Sequence, residues 1–143
     1  MIYTSMTKKA LKLCFEAHKH QTDKSGIPYV FHPFHLAEQM TDEASTVAAL
    51  LHDVVEDTGY TFEDLIGMGF SFEVIEALKL LTHEESVPYM EYVRKIKGNP
   101  IATAVKLADL LHNSDLSRLD VIDEKALRRV EKYHNAIQFL TDG

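Results

Sequence analysis

The chain has 143 residues, 45% of them hydrophobic and 26% charged, which suits one soluble globular domain and argues against disorder. Its net charge of −7 weighs against a nucleic-acid-binding surface, and no apolar run approaches the roughly 20 residues of a membrane span. The first residues lack a signal-peptide pattern, and the lone cysteine, Cys14, excludes an internal disulfide, so a reducing cytoplasm is expected.

In chain order, Leu11, Cys14, Phe15 and His18 recur at helical spacing and predict a first helix over 7–20. Gly26 and Pro28 mark 23–29 as a loop, because the proline disfavours helical backbone at Ile27. Pro33 suits the first turn of a second helix reaching about Met40. A third helix is predicted over 44–56, ending before Gly59, and Thr61 with Asp64 three residues on has the form of a capping box. Further helices are predicted over 72–81, 88–97, 100–116 and 123–140. The last carries Leu127, Val130, His134, Ile137 and Thr141 along one stripe. No alternating β-branched run or Asn-Gly turn signals a strand, so the expected fold is all-α.

Three segments carry chemistry. In Leu50–Thr58, LLHDVVEDT, a helix turning about 100° per residue would set His52, Asp53, Glu56 and Asp57 on one side and an apolar arc on the other. Three carboxylates on one face repel each other unless solvated or neutralised. The segment therefore reads either as a solvated acidic face beside a histidine or as a divalent-metal site. In Val105–Ser114, VKLADLLHNS, Lys106, Asp109 and Asn113 share one arc. An aspartate in so apolar a run needs a partner, either Lys106 or a metal ion. In Tyr29–His35, YVFHPFH, His32 precedes a proline at a helix start, where a histidine serves more often as cap or core than as ligand. His35 is a second candidate by spacing. Tyr89, Met90 and Tyr92 read as helix packing rather than as a pocket wall.

Together the segments form the pattern H…HD…D, namely His32, His52-Asp53 and Asp109, which resembles the HD-domain superfamily of metal-dependent phosphohydrolases. The stretches SGIPYVFHP, AALLHDVVEDTGYTFEDL and VKLADLLHN resemble the hydrolase domain of the RelA/SpoT family and its small single-domain hydrolases, over about 17–119. The resemblance implies a single HD-domain helical bundle over 1–143 and one divalent metal ion, usually manganese, held by His32, His52, Asp53 and Asp109. It implies Glu56 and Asp57 as the acidic pair that orients and activates water, Asn113 as a nucleotide contact and Lys24 as a basic residue beside the substrate pocket. The implied reaction removes pyrophosphate from the 3′ position of guanosine tetraphosphate or pentaphosphate.

Two positions depart from the family pattern. Asp23 stands where the family has an arginine that stacks on guanine, and Leu110 replaces the arginine of KLADRLHN. A cationic pocket would lose two positive charges and gain a negative one. The alternative readings are an HD phosphohydrolase for another nucleotide or nucleoside phosphate, and a non-catalytic metal-binding HD module. A small-molecule nucleotide is the expected partner, rather than nucleic acid or a membrane, and nothing in the sequence sets an oligomeric state.

Overall fold

A computed structural model describes residues 1–142. The helices are α1 (Ser5–His18), α2 (Phe31–Glu38), α3 (Glu43–Leu51), α4 (Val54–Asp57), α5 (Phe62–Gly67), α6 (Phe72–Leu81), α7 (Tyr89–Lys97), α8 (Pro100–Asn113) and α9 (Glu124–Thr141). A 3-10 turn, Leu116–Arg118, follows α8. There is no strand among the described residues, so the fold is all-α as expected; one isolated bridge pairs Thr22 with Pro28. No helix among them is long and apolar enough to cross a membrane.

Side-chain caps set the helix starts. Thr61 accepts from Asp64 N–H while the Asp64 carboxylate accepts from Thr61 N–H, the reciprocal capping box read from sequence. Asp42, Asn99 and Asp123 likewise accept from the backbone N–H three residues on. Pro100 occupies the first turn of α8, where its missing N–H costs nothing. Helix α8 ends at Asn113, three residues before the predicted end, and the chain continues into the 3-10 turn.

Helix α3 is the centre of the packing. Ser45 through Leu51 are all buried, and α1, α2, α6 and α8 lie against it. A helix apolar on every side must be covered on every side. The predicted helix over 44–56 is interrupted: α3 stops at Leu51 and α4 restarts at Val54, because Asp53 leaves helical dihedrals, with φ −109° and ψ 2°.

Helix α9 packs on α7 and α8. Its inward face is Ala126, Val130, Tyr133, Ala136, Ile137 and Leu140, whereas Leu127 is 52% exposed and His134 is exposed. The predicted stripe is thus displaced by about one residue. The small Ala126 and Ala136 face the packed side, and the bulkier Leu127 faces out.

Candidate metal centre and the adjoining cavity

The packing of α2, α3 and α8 brings His32, the residue after α3 and Asp109 to one point. All three side chains, His32, His52 and Asp109, are buried. On a regular helix, adjacent side chains diverge by about 100°. The departure at Asp53 lets its Oδ2 come within 3.0 Å of His52 Nε2. The bend between α3 and α4 is therefore what brings the Asp53 carboxylate back against its neighbour His52.

Asp109 is the hub. Its Oδ1 lies 2.9 Å from His32 Nε2 and 3.7 Å from His52 Nε2, and accepts from Asn113 Nδ2 at 2.9 Å. Its Oδ2 pairs with Lys106 Nζ at 3.0 Å. Of the two partners left open by sequence, Lys106 is present, and it occupies only one carboxylate oxygen. Asp53 Oδ2 accepts from the Tyr29 hydroxyl. Donor atoms of His32, His52 and Asp109 lie within 4.8 Å of one another.

His52 supplies the most telling detail. Its Nδ1 donates to the Ala49 carbonyl at 2.7 Å, which fixes the tautomer and leaves Nε2 as the inward atom. Nε2 is buried and has no hydrogen-bond partner, although it faces two carboxylates. An orphaned buried nitrogen is costly. The convergent set is two imidazoles and one carboxylate, and the predicted ligand Asp53 lies beside His52 but outside that set. Such donors suit a divalent ion such as Mn, Fe, Co, Ni or Zn, which would satisfy the orphaned atom.

Burial and opposite charge compete throughout the cluster. Burial opposes charging His52, yet Asp53 and Asp109 hold its pKa well above the ordinary histidine value. Burial would raise Asp53, but His52 beside it holds the carboxyl down to about 2. Burial also acts on Asp109, and Lys106 together with the two histidines keeps it well below the carboxylate range. Glu56 and Asp57 behave oppositely. Burial, and next the Asp53 charge, push both upward. Both are exposed residues of the short α4 turn, outside the buried cluster. The Asp57 carbonyl is held by Gln21 Nε2 at 3.0 Å, and Gln21 Oε1 in turn meets His18 Nδ1 at 2.7 Å.

A cavity of about 320 Å³ opens beside the cluster, with His32, Asn113 and Tyr29 at its inner end and Lys24, Arg118 and Arg129 on its walls. Burial and the charges of Arg129 and Lys125 lower the Lys24 pKa, as expected where cations crowd. Arg118 Nη1 donates to the His112 carbonyl at 2.9 Å and to Asn113 Oδ1 at 3.3 Å, and its Nη2 stands 3.8 Å from Asp23 Oδ2. The Asn113 amide is engaged at both ends, by Asp109 and by Arg118.

The charge balance drawn from Asp23 and Leu110 needs correction on three counts. Leu110 is 1% exposed in the core and does not line the cavity. Arg118 and Arg129 line the cavity and were not among the residues singled out from sequence. Asp23 does line it, but its Oδ1 is turned into its own loop, accepting from Ser25 N–H at 2.8 Å and Ile27 N–H at 3.0 Å. That Asx-type turn, with Gly26 at φ +79°, shapes the loop that presents Lys24.

His35 and His112 are not in the convergent set; His112 contacts His32, and His35 stacks on His112. Tyr92 is buried and donates to the Leu81 carbonyl at 2.8 Å, in keeping with a packing role.

A family model for the HD domain matches residues 10–124. The chain belongs to the HD-domain family. It is 37% identical over 120 residues to the guanosine-3′,5′-bis(diphosphate) 3′-pyrophosphohydrolase MESH1 of Mus musculus, covering 73% of this chain and 66% of that one. It is 35% identical over 144 residues to the protein of the same name from Danio rerio, covering 91% and 79%. Against the bifunctional (p)ppGpp synthase/hydrolase SpoT of Escherichia coli it is 35% identical over 121 residues, 74% of this chain but 17% of SpoT. A solved structure, described as a metazoan ortholog of SpoT that hydrolyzes ppGpp and plays a role in starvation responses, superposes with a TM-score of 0.79 at 26% identity, covering all of this chain and 89% of the other.

Proposed function

We propose that this chain is a manganese-dependent phosphohydrolase of the cytoplasm, one HD domain over 1–143, that removes pyrophosphate from the 3′ position of guanosine tetraphosphate or pentaphosphate. The observation that carries the reading is the buried convergence of His32, His52 and Asp109 around an orphaned His52 Nε2, beside a cavity walled by cations. The relatives named above supply the substrate class.

His32, His52, Asp53 and Asp109 would hold the ion, which when bound polarises a phosphoryl oxygen and lowers the pKa of water. Hydrolysis breaks the bond between the 3′ oxygen and phosphorus. Water gives its oxygen to phosphorus, and a proton ends on the departing 3′ oxygen. Glu56 and Asp57 handle the water proton: their upward-shifted carboxyls are better matched to proton transfer near neutrality than an ordinary surface carboxylate. Lys24 and Arg129 bind the remaining phosphates, and Asn113 lines the nucleotide cavity while orienting Asp109. Asp23 is a rim residue of the substrate site, its charge partly answered by Arg118.

Asp23 and Asp115 on the same wall favour, as a second reading, a nucleotide of lower negative charge. The test is metal-free protein reloaded with Mn²⁺ and assayed against a nucleotide panel, with pyrophosphate and phosphate measured separately. Pyrophosphate released from guanosine tetraphosphate only after loading is the expected result. Cleavage of another nucleotide alone selects the second reading. No cleavage at full metal occupancy sinks the enzymatic one and leaves a metal-binding module.

A further inference from the structure

His112 is absent from the convergent donor set yet touches it. Its Nδ1 lies 2.7 Å from Nδ1 of His32. The ring planes are within 6° of parallel and the centroids 5.0 Å apart. For two imidazoles meeting nitrogen to nitrogen, that separation means rings laid nearly end to end in one plane, the geometry of an in-line N–H···N bond rather than a stack. The two sites of the His32 ring are thereby divided: Nδ1 belongs to His112 and Nε2 faces Asp109 at 2.9 Å.

His112 is itself fixed from two sides. His35 stacks on its ring, with centroids 4.1 Å apart, and Arg118 holds its backbone carbonyl at 2.9 Å. A histidine that binds a metal through one nitrogen donates its other ring N–H to an acceptor, usually a carboxylate, a backbone carbonyl or water, and that acceptor sets tautomer and ring orientation. His52 follows the usual form with the Ala49 carbonyl. His32 has only another imidazole in that place.

We propose that His112 is a positioning residue of the metal centre: its Nδ1 accepts the Nδ1–H of His32, which leaves His32 Nε2 unprotonated and aimed at the ion. The proposal rests on the metal-centre reading above. A consequence is that the two histidine ligands are oriented by different acceptors, a backbone carbonyl no substitution can remove and a side chain that one can.

The experiment is an equilibrium titration of the whole chain with Mn²⁺, read by competition with a chelating dye, on wild type, His112→Phe, His112→Asn and Asp109→Ala. Phenylalanine keeps a flat ring against His35 but has no acceptor. Asparagine places an amide oxygen near the position of Nδ1. Wild type should bind one Mn²⁺, His112→Phe should bind about 10- to 100-fold more weakly, and His112→Asn should recover most of the loss. Unchanged affinity in His112→Phe overturns the proposal. So does equal weakening in both His112 variants, since an acceptor restored near the position of Nδ1 would then recover nothing. Wild type that takes up no Mn²⁺, or Asp109→Ala that binds like wild type, overturns the metal centre itself and the role of His112 with it.

Discussion

His32, His52 and Asp109 sit on or directly after helices packed into the core and are buried, whereas Lys24, Arg118 and Arg129 reach the cavity from a loop, a 3-10 turn and the last helix and stay at least partly exposed. The floor is held by helix packing and by hydrogen bonds to nearly every polar atom. The rim is held by one Asx-type turn, the hydrogen bonds and one long ion pair of Arg118, and the register of α9. A floor of that kind cannot change without disturbing the fold, and a rim of that kind can. On the function proposed above, the chemistry and the choice of substrate reside in parts of the molecule with different tolerance to substitution.

The floor is broken most severely at its hub. Asp109→Ala should abolish metal binding and activity and also destabilise the protein by about 3 kcal/mol, because it leaves the largely covered Lys106 charge without its carboxylate partner. Metal content and denaturant unfolding would check this. An unfolding midpoint equal to wild type would show that the hub is not structural.

Glu56→Gln separates proton handling from ion holding. Turnover should fall by about 10²–10⁴-fold, with metal content and stability retained, since Glu56 is exposed and belongs to no buried bond. In wild type kcat should fall on the acid side as Glu56 and Asp57 take up protons, since the protonated forms cannot accept one; burial raises both, while a bound cation would offset the Asp53 charge. Metal lost along with activity would instead make Glu56 a ligand.

At the rim, Arg129→Ala should raise KM by about 10- to 100-fold, from the roughly 1.5–3 kcal/mol of a hydrogen bond to a charged group, with kcat nearly unchanged. Steady-state kinetics decide it, and a fall confined to kcat would move Arg129 into the floor. The smallest effect belongs to Asp23→Asn. The amide oxygen preserves the acceptor for Ser25 and Ile27 while the charge disappears, so KM for the polyphosphorylated nucleotide should fall a few-fold, less so at high salt. An unchanged KM at low salt would show that the Asp23 charge does not reach the substrate.

Much of the floor was legible in the sequence because its residues lie in short motifs. His52-Asp53 and Asp109 announce themselves as charged groups inside apolar runs, and capping residues such as Thr61, Asp64 and Asp123 mark helix starts through bonds of three-residue span. The bend at Asp53 was not legible, because a helical wheel assumes one rotation per residue and the Asp53 carboxylate is gripped by Tyr29 from a segment that only the fold brings near. Arg129 was missed for a related reason. The larger hydrophobicity of Leu127 drew the stripe of α9 one position away from Ala126, and the correct register carries Arg129 toward the cavity. Arg118 has no local signal at all, since its partner Asp23 lies on a loop that only the folded chain brings near.

The Tyr29 hydroxyl joins the two regions. It ends the loop that presents Lys24, and it grips Asp53 at the floor. Burial, with the Asp53 charge next, raises its pKa far above the ordinary phenol value, so the hydroxyl keeps its proton and the bond persists at any pH the protein would meet. A nucleotide that drew the loop inward would pull, through one phenol ring, on a carboxylate at the floor. Ion occupancy and nucleotide occupancy would then be linked quantities: each would change the affinity for the other by the same factor, and a binding isotherm for either partner would carry information about both.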